Sequence, residues 1–235
     1  MQKNAIITGA SRGIGRAIAL ELAQQNIRVI LIARNANELA ELQKQIEQEG
    51  GQADFYALDI SQATQVKQTV DRILEKHAQV NYLINNAGVG SFQDFEAFDE
   101  TEWDRIMDIN VKGTFMLTKA LIAHMKAQKQ GHVVTIASDV SKRTFPQGSV
   151  YCASKYAQDA LMSALRKEVR SFGVKVSVVY PGMVATYFGG SQPDEPEKAL
   201  WLKPQDIAQS VSYILNAPAH VVVDELMIHP LVQDY

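Results

Sequence analysis

The chain has 235 residues, 46% hydrophobic and 21% charged, with a formal net charge of −3 and a single cysteine, Cys152. That length suits one α/β domain with a full core, and the charge excludes a global basic field for nucleic acid or an anionic membrane. One thiol cannot form an internal disulfide, the opening MQKNAIITGA lacks the apolar stretch of a signal peptide, and no apolar run approaches the roughly 20 residues that span a bilayer. A cytoplasmic protein is expected.

The first strand-like run is NAIIT (4–8); RVILIA (28–33), ADFYAL (53–58), VNYLIN (80–85), HVVTIAS (132–138), VKVSVVY (174–180) and HVVVDELMI (220–228) follow it. Each is nearly continuous in apolar residues, as parallel strands covered on both faces are. Helical patterns separate them. Over 61–78, Val66, Val70, Ile73, Leu74 and His77 form one stripe, and Ser61 is placed to cap that helix. Strand–helix alternation without repeats or linkers predicts an α/β fold over 1–235, a doubly wound, right-handed parallel sheet of about seven strands. The long irregular stretch is 181–204, rich in Gly, Pro and acidic residues, and a substrate lid is expected over about 183–203.

Residues 6–19, IITGASRGIGRAIA, run from the first strand through Gly9, Gly13 and Gly15 into a helix. Glycines let the backbone approach a pyrophosphate, and the helix N-terminus offers unpaired N–H groups to it. An acid at the end of the second strand would take the ribose 2′-hydroxyl of NAD. Here that strand ends in Ala33 and Arg34, and Arg12 projects from the glycine turn. Two guanidinium groups suit a 2′-phosphate, so NADP(H) is expected.

In SVYCASKYAQ (149–158), Tyr151 and Lys155 stand one helical turn apart and share a face. A nearby ammonium favours phenolate, which would bring the tyrosine from about 10 toward 7 and let it exchange protons with a carbonyl or alcohol oxygen. Ser138 follows the fifth strand at the edge where open α/β sheets bind ligands, and its loop can bring both hydroxyls to one substrate oxygen. INNAG (84–88) ends the fourth strand, and DINVKGTF (108–115) places Asn110 before another helix.

With these motifs in order, T-G-x-x-x-G-x-G, N-N-A-G, Asn–Ser–Tyr–Lys and P-G after the sixth strand, the chain resembles the short-chain dehydrogenase/reductase family from Thr8 to Gly182. The resemblance implies a Rossmann-type fold, an NADP-dependent oxidoreductase acting on CH–OH groups, and a homodimer or homotetramer. It makes Tyr151 the acid/base, Ser138 the group that polarises the substrate carbonyl, and Lys155 the holder of the nicotinamide ribose. Asn110 would anchor a water joining Lys155 to solvent. Cofactor contacts would come from Gly9, Ser11, Arg12, Gly13, Ile14, Gly15, Arg34, Asp59 (at the adenine), Ile60, Asn86, Ala87, Gly88, Tyr151, Lys155, Pro181, Gly182, Val184 and Thr186 (at the carboxamide). A protein that merely senses NADP(H) would have no need of the four polar residues together.

Other residues read as ordinary. Cys152 has no nucleophile's partner pattern, and His77, His124, His132, His220 and His229 lack metal-ligand spacing, so no metal is expected. Phe115, Met116, Leu117, Leu121, Ile122 and Met125 give the helix after Asn110 a wide apolar arc, and Ala153, Ala157, Ala160 and Ala164 should pack closely on another helix. Lys142 and Arg143 could meet an acidic substrate or be solvated loop charges. Phe145, Tyr187, Phe188 and Trp201 could wall the substrate site or pack the lid. The 139–150 loop and the C-terminus depart from the pattern of 3-oxoacyl-carrier-protein reductases and are more similar to bacterial sepiapterin reductase-like and general carbonyl reductase branches. A small or cyclic carbonyl or alcohol substrate is expected, with 3-oxoacyl carrier protein as the alternative.

Overall fold

The computed structural model describes residues 2–234. Its strands are β1 (Asn4–Thr8), β2 (Arg28–Ala33), β3 (Ala53–Ala57), β4 (Tyr82–Asn85), β5 (Gly131–Ile136), β6 (Val174–Pro181) and β7 (Glu225–Ile228). They form one sheet, ordered β3-β2-β1-β4-β5-β6-β7, and every pairing is parallel. The helices are α1 (Gly13–Gln24), α2 (Ala36–Gln48), α3 (Ala63–Lys76), α4 (Glu100–Met107), α5 (Thr114–Gln128), α6 (Ser149–Val169) and α7 (Pro204–Leu215). This is the doubly wound Rossmann-type architecture that the strand–helix alternation predicts.

Alternation along each strand feeds two cores. Ala5, Ile7, Val29, Leu31 and Val179 face Ile18 and Leu22 of α1, Leu39 and Ile46 of α2, and Val211 of α7. Their neighbours Ile6, Ile30, Ile32, Val176 and Val178 face Val66 and Ile73 of α3, Leu117 and Leu121 of α5, and Met162 of α6. A period of two with both faces apolar reads as a continuous hydrophobic run, which is why these strands show no alternation in sequence. The chain winds outward from β1 to β3, then returns to start β4 on the other side of β1. That reversal opens a crevice at the carboxyl ends of β1 and β4.

Two local readings are corrected and a third is refined. Ser61 does not cap α3: the N-cap position is Gln62, without a side-chain hydrogen bond, while Ser61 closes a turn on Asp59 by donating N–H (2.9 Å) and Oγ–H (2.8 Å) to Oδ1. The last strand is shorter than its apolar run, because β6 meets β7 only from Glu225 to Ile228. Asn110 precedes a helix, α5, as expected, but it lies inside a π-turn, Asp108–Gly113, that joins α4 to α5. Such turns widen the backbone ring and shift which carbonyls reach outside partners.

Candidate active site

Thr8 ends β1, and its hydroxyl accepts from the N–H groups of Asn86 and Ala87, each at 2.9 Å. Asn86 Nδ2 donates in return to the carbonyls of Thr8 (2.9 Å) and Gly9 (3.3 Å). The clasp draws the loop after β4 onto the glycine turn. Gly9 takes φ +63 there, and a Cβ on Gly15 would run into Gly9 O and Asn86 Nδ2, so α1 can start against the turn only with glycine at that point. No side chain caps α1, whose first N–H groups are left for an anion.

Beside the turn lies a cleft of about 400 Å³, within the range of small-ligand sites. Gly9, Ser11, Arg12, Gly13, Ile14, Arg34, Asp59, Ile60, Asn86, Ala87, Gly88 and Thr186 line it as the sequence predicts. Gly15, Tyr151, Lys155, Pro181, Gly182 and Val184 do not; Tyr151 and Lys155 are buried beyond its lining. Gly15 is consumed by the helix–turn contact, Gly182 faces His229 and Gln233 of the C-terminal segment, and Val184 bridges to Leu202. Pro181 O instead sits 3.5 Å from Ser138 Oγ. The sequence reading missed Asn35 and Glu38, which line the same end of the cleft as Arg34. Asn35 caps α2, accepting from the N–H groups of Asn37 (3.1 Å) and Glu38 (3.3 Å), and an Asn just before a helical run was the available signal.

Tyr151, Lys155, Ser138 and Asn110 are all buried, and the fold brings them together at the carboxyl ends of β4 and β5. Lys155 Nζ donates to Ile136 O (3.2 Å) and Gln158 Oε1 (2.9 Å), and lies 5.8 Å from the Tyr151 ring centroid. Ser138 hydrogen-bonds the Tyr151 hydroxyl and donates to Asp139 Oδ1 at 3.1 Å. Asn110 clamps the loop after β4: Oδ1 accepts from Val89 N–H, and Nδ2 donates to Val89 O, both at 2.8 Å. Its own carbonyl accepts from Thr114 Oγ1 (2.8 Å) and Gln158 Nε2 (2.7 Å). Gln158, which accepts from Lys155, therefore joins the Asn110 carbonyl to the lysine.

The electrostatics also differ from expectation. Burial holds the Tyr151 phenol above its ordinary value, only partly offset by Ser138, and Lys155 does not bring it down. The same burial pulls Lys155 from 10.5 to about 7, because an ammonium taken from water loses its hydration. Three phenylalanines account for much of the cover. Phe188 lies 5.3 Å and Phe92 5.7 Å from the Tyr151 ring, and Phe145 lies 5.6 Å from Phe92, all between centroids. Phe145 and Phe188 thus wall the site. Tyr187 packs instead under the Arg12 guanidinium, and Trp201 stacks near Lys198. The segment carrying Phe188 is organised around buried Lys198, which donates to Thr186 O (3.3 Å) and Gln192 O (2.5 Å) and pairs with Glu195 (2.6 Å).

Lys142, exposed, and Arg143, partly exposed, are both ion-paired within the chain. Lys142 pairs with Asp159 (2.8 Å) and Glu225 (3.3 Å), and Arg143 pairs with buried Asp139 (2.6 Å). Gln233 Nε2 also donates to Asp139 (2.7 Å), while its Oε1 accepts from Met183 N–H (2.7 Å). The C-terminal segment thereby ties the serine loop to the start of the covering segment. Among the described residues, no group of three His, Cys, Asp or Glu side chains is placed to hold a metal ion, and no helix is long and apolar enough to cross a membrane. His132 is a core residue bonded to Ser177 Oγ (2.7 Å), pulled down by burial to about 3. Cys152 is buried, and Ala153, Ala160 and Ala164 are exposed rather than packed on a neighbouring helix of this chain.

A family model described as short chain dehydrogenase matches residues 3–197. A sepiapterin reductase of Chlorobaculum tepidum is 37% identical over 232 residues, covering 96% of this chain and 95% of that protein. The crystal structure of an alcohol dehydrogenase from the archaeon Thermococcus sibiricus, complexed with 5-hydroxy-NADP, superposes with a TM-score of 0.95 at 36% identity, over 100% of this chain and 99% of that one. A metagenomic short-chain oxidoreductase in complex with NADP gives a TM-score of 0.87 at 32% identity, over 97% of each chain.

The depressed Lys155 predicts a pH-dependent stability. The folded chain releases this proton near pH 7 and the unfolded chain holds it to about 10.5, so the group's cost is full below 7 and fades as pH rises. Lys155→Met, compared with wild type in urea unfolding, should therefore be relatively most favoured at pH 6.5. That difference should narrow by more than about 2 kcal/mol by pH 10, since each tenfold difference in proton affinity between the folded and unfolded chain is worth about 1.4 kcal/mol. A constant difference would mean that burial does not hold Lys155 down.

Proposed function

The chain belongs to the short-chain dehydrogenase family, and we propose that it is an NADPH-dependent carbonyl reductase and alcohol dehydrogenase acting on a small or cyclic ketone, a pteridine side chain or an oxo acid. The observation that carries this reading is the convergence of Ser138, Tyr151 and Lys155 beside the cleft at the glycine turn. The residues present fit such a cofactor: an uncapped helix N-terminus for the pyrophosphate, Asp59 at the adenine end, and exposed Arg12 and Arg34 for a 2′-phosphate. When bound, the nicotinamide supplies or accepts the hydride.

The chain's own residues handle the proton and the geometry. Ser138 orients the substrate carbonyl, and Tyr151 gives its hydroxyl proton to the developing alkoxide, or takes it back in oxidation. Lys155 holds the ribose and, while charged, favours the phenolate that remains. Phe92, Phe145 and Phe188 around Tyr151 support an apolar or planar carbonyl compound, since such a surface gives its best contacts to a ring or short chain. The pairing of Lys142 and Arg143 with this chain's own acids favours neutral substrates over oxo acids. Residues 183–203 serve as the lid. Half-exposed Phe115, Tyr156 and Phe172 on α5, on α6 and just beyond it fit a homodimer or homotetramer, and the reading places the protein in the cytoplasm.

The first test is Tyr151→Phe, which keeps the ring and removes the proton. With a panel of ketones, diketones, pteridines and 3-oxo esters, NADPH oxidation should fall below a tenth of wild type, a barrier increase above about 1.4 kcal/mol. NADPH binding should persist; a variant that retained its activity would refute the acid/base role. The second test concerns the 2′-phosphate, where charge-assisted bonds of about 1.5–3 kcal/mol each predict a tenfold to several-hundredfold preference for NADPH. Ala33→Asp with Arg34→Ala should move the ratio of specificity constants toward NADH, and an unmoved ratio would show both arginines to be bystanders. Light scattering at micromolar concentration should give the mass of a dimer or tetramer, and a monomer would rule that out.

A further inference from the structure

Gln158 lies three residues beyond Lys155 on α6 and is 1% exposed, yet no reading of the motifs draws attention to it. Its amide nitrogen donates to Asn110 O (2.7 Å) and Thr114 Oγ1 (2.9 Å), and its amide oxygen accepts from Lys155 Nζ (2.9 Å). The orientation of this amide is dictated by its partners. A backbone carbonyl can only accept, so the nitrogen must face Asn110. Thr114 spends its own proton on that same carbonyl (2.8 Å), so it too can only accept from Gln158. The oxygen is thereby forced toward the ammonium.

We propose that Gln158 is a positioning residue of the reaction centre, whose locked amide oxygen keeps Lys155 both charged and in place beneath Gly88. The second link in the chain is geometric: a Cβ on Gly88 would lie 3.5 Å from Lys155 Nζ and 3.4 Å from Asn110 Oδ1, so the loop after β4 roofs the ammonium directly. Among the described residues, its one other acceptor is Ile136 O, at 3.2 Å. The π-turn is what allows the arrangement, since it presents the Asn110 carbonyl to a side chain of α6.

Among the described residues, no charged partner substitutes for Gln158. On α6 itself, Tyr151 is one turn before Lys155, and Asp159 is taken by Lys142 and by the Tyr180 hydroxyl (2.6 Å). On the 3-10 turn packed against α6, Asp139 is paired with Arg143. On the π-turn, Asp108 pairs with exposed Lys112, and on α4 Glu102 pairs with Arg105. Burial is accordingly the cause that pulls Lys155 down to about 7, and the Gln158 oxygen is the side-chain acceptor that meets its ammonium.

The inference rests on the reading of Tyr151 as acid/base for its catalytic meaning, but its test need not. In protein labelled with 13Cε-lysine and free of cofactor, one lysine signal should titrate near neutrality and vanish in Lys155→Met, which assigns it. Gln158→Met, close in volume and lacking the acceptor, should titrate at least about one pH unit lower, a tenfold change in the equilibrium. Gln158→Glu, which keeps an oxygen toward Lys155 and adds charge, should titrate higher than wild type. If Gln158→Met does not fold, Gln158→Glu alone decides. A folded variant whose Lys155 titrates as in wild type overturns the proposal. With an alcohol substrate, the rising limb of kcat/KM against pH should move to higher pH in Gln158→Met and return in Gln158→Glu, which a packing role would not produce. Should no substrate be turned over, the proposed reaction fails while the lysine titration still judges Gln158.

Discussion

One hydroxyl, Thr8 Oγ1, takes the N–H groups of two successive residues, Asn86 and Ala87, at the point where the sheet reverses its winding. Without that acceptor two backbone donors would be stranded between β1 and β4, at a cost of about 1–3 kcal/mol each. With it, the glycine turn and the loop after β4 become one surface. The cleft follows from this, because Gly9 and Gly15 on one side and Asn86 to Gly88 on the other are then within reach of a single ligand. The loop's far end is fixed by a second clamp, Asn110 on Val89, which connects the crevice to the π-turn and so to α6.

The reaction centre beneath this surface is governed by dehydration as much as by pairing. A lysine and a tyrosine one helical turn apart would, in water, help each other to the charged pair. Here the phenylalanines and the loop exclude water from both, so burial lifts the phenol and depresses the ammonium. A site in that condition is sensitive to each polar contact it retains, and Gln158 and Ser138 are the side chains that supply them. The covering segment is part of the same balance, since Phe188 touches Tyr151 and its backbone is organised on Lys198.

The clasp is also where sequence and structure agree best. Thr8, Gly9, Gly15 and Asn86 are close to strands whose apolar runs are unmistakable, and their spacing has few other uses. Agreement weakens with distance from the strands. Ser61 looks like a cap and instead closes a turn on Asp59, because the helix begins one residue later than a local rule would start it. Lys142 and Arg143 look like solvated loop charges, and what the sequence does not display is that they pair with Asp159, Glu225 and Asp139, which come from other elements or from across the turn.

By itself, then, the amino-acid sequence determined the parallel α/β sheet, the strand that carries each motif, the identity of the four polar residues and the missing acid after β2. These are properties of local spacing and of hydrophobic period, which a linear chain displays in full. Only the tertiary structure decided that Asn110 sits in a π-turn, that its carbonyl accepts from Gln158, and that burial pulls Lys155 down to about 7. The C-terminal Gln233 reaching Asp139 and Met183 belongs with these. Each depends on which groups from distant segments share a volume without water, and both desolvation and the direction of an amide are set by neighbours that sequence order does not place side by side.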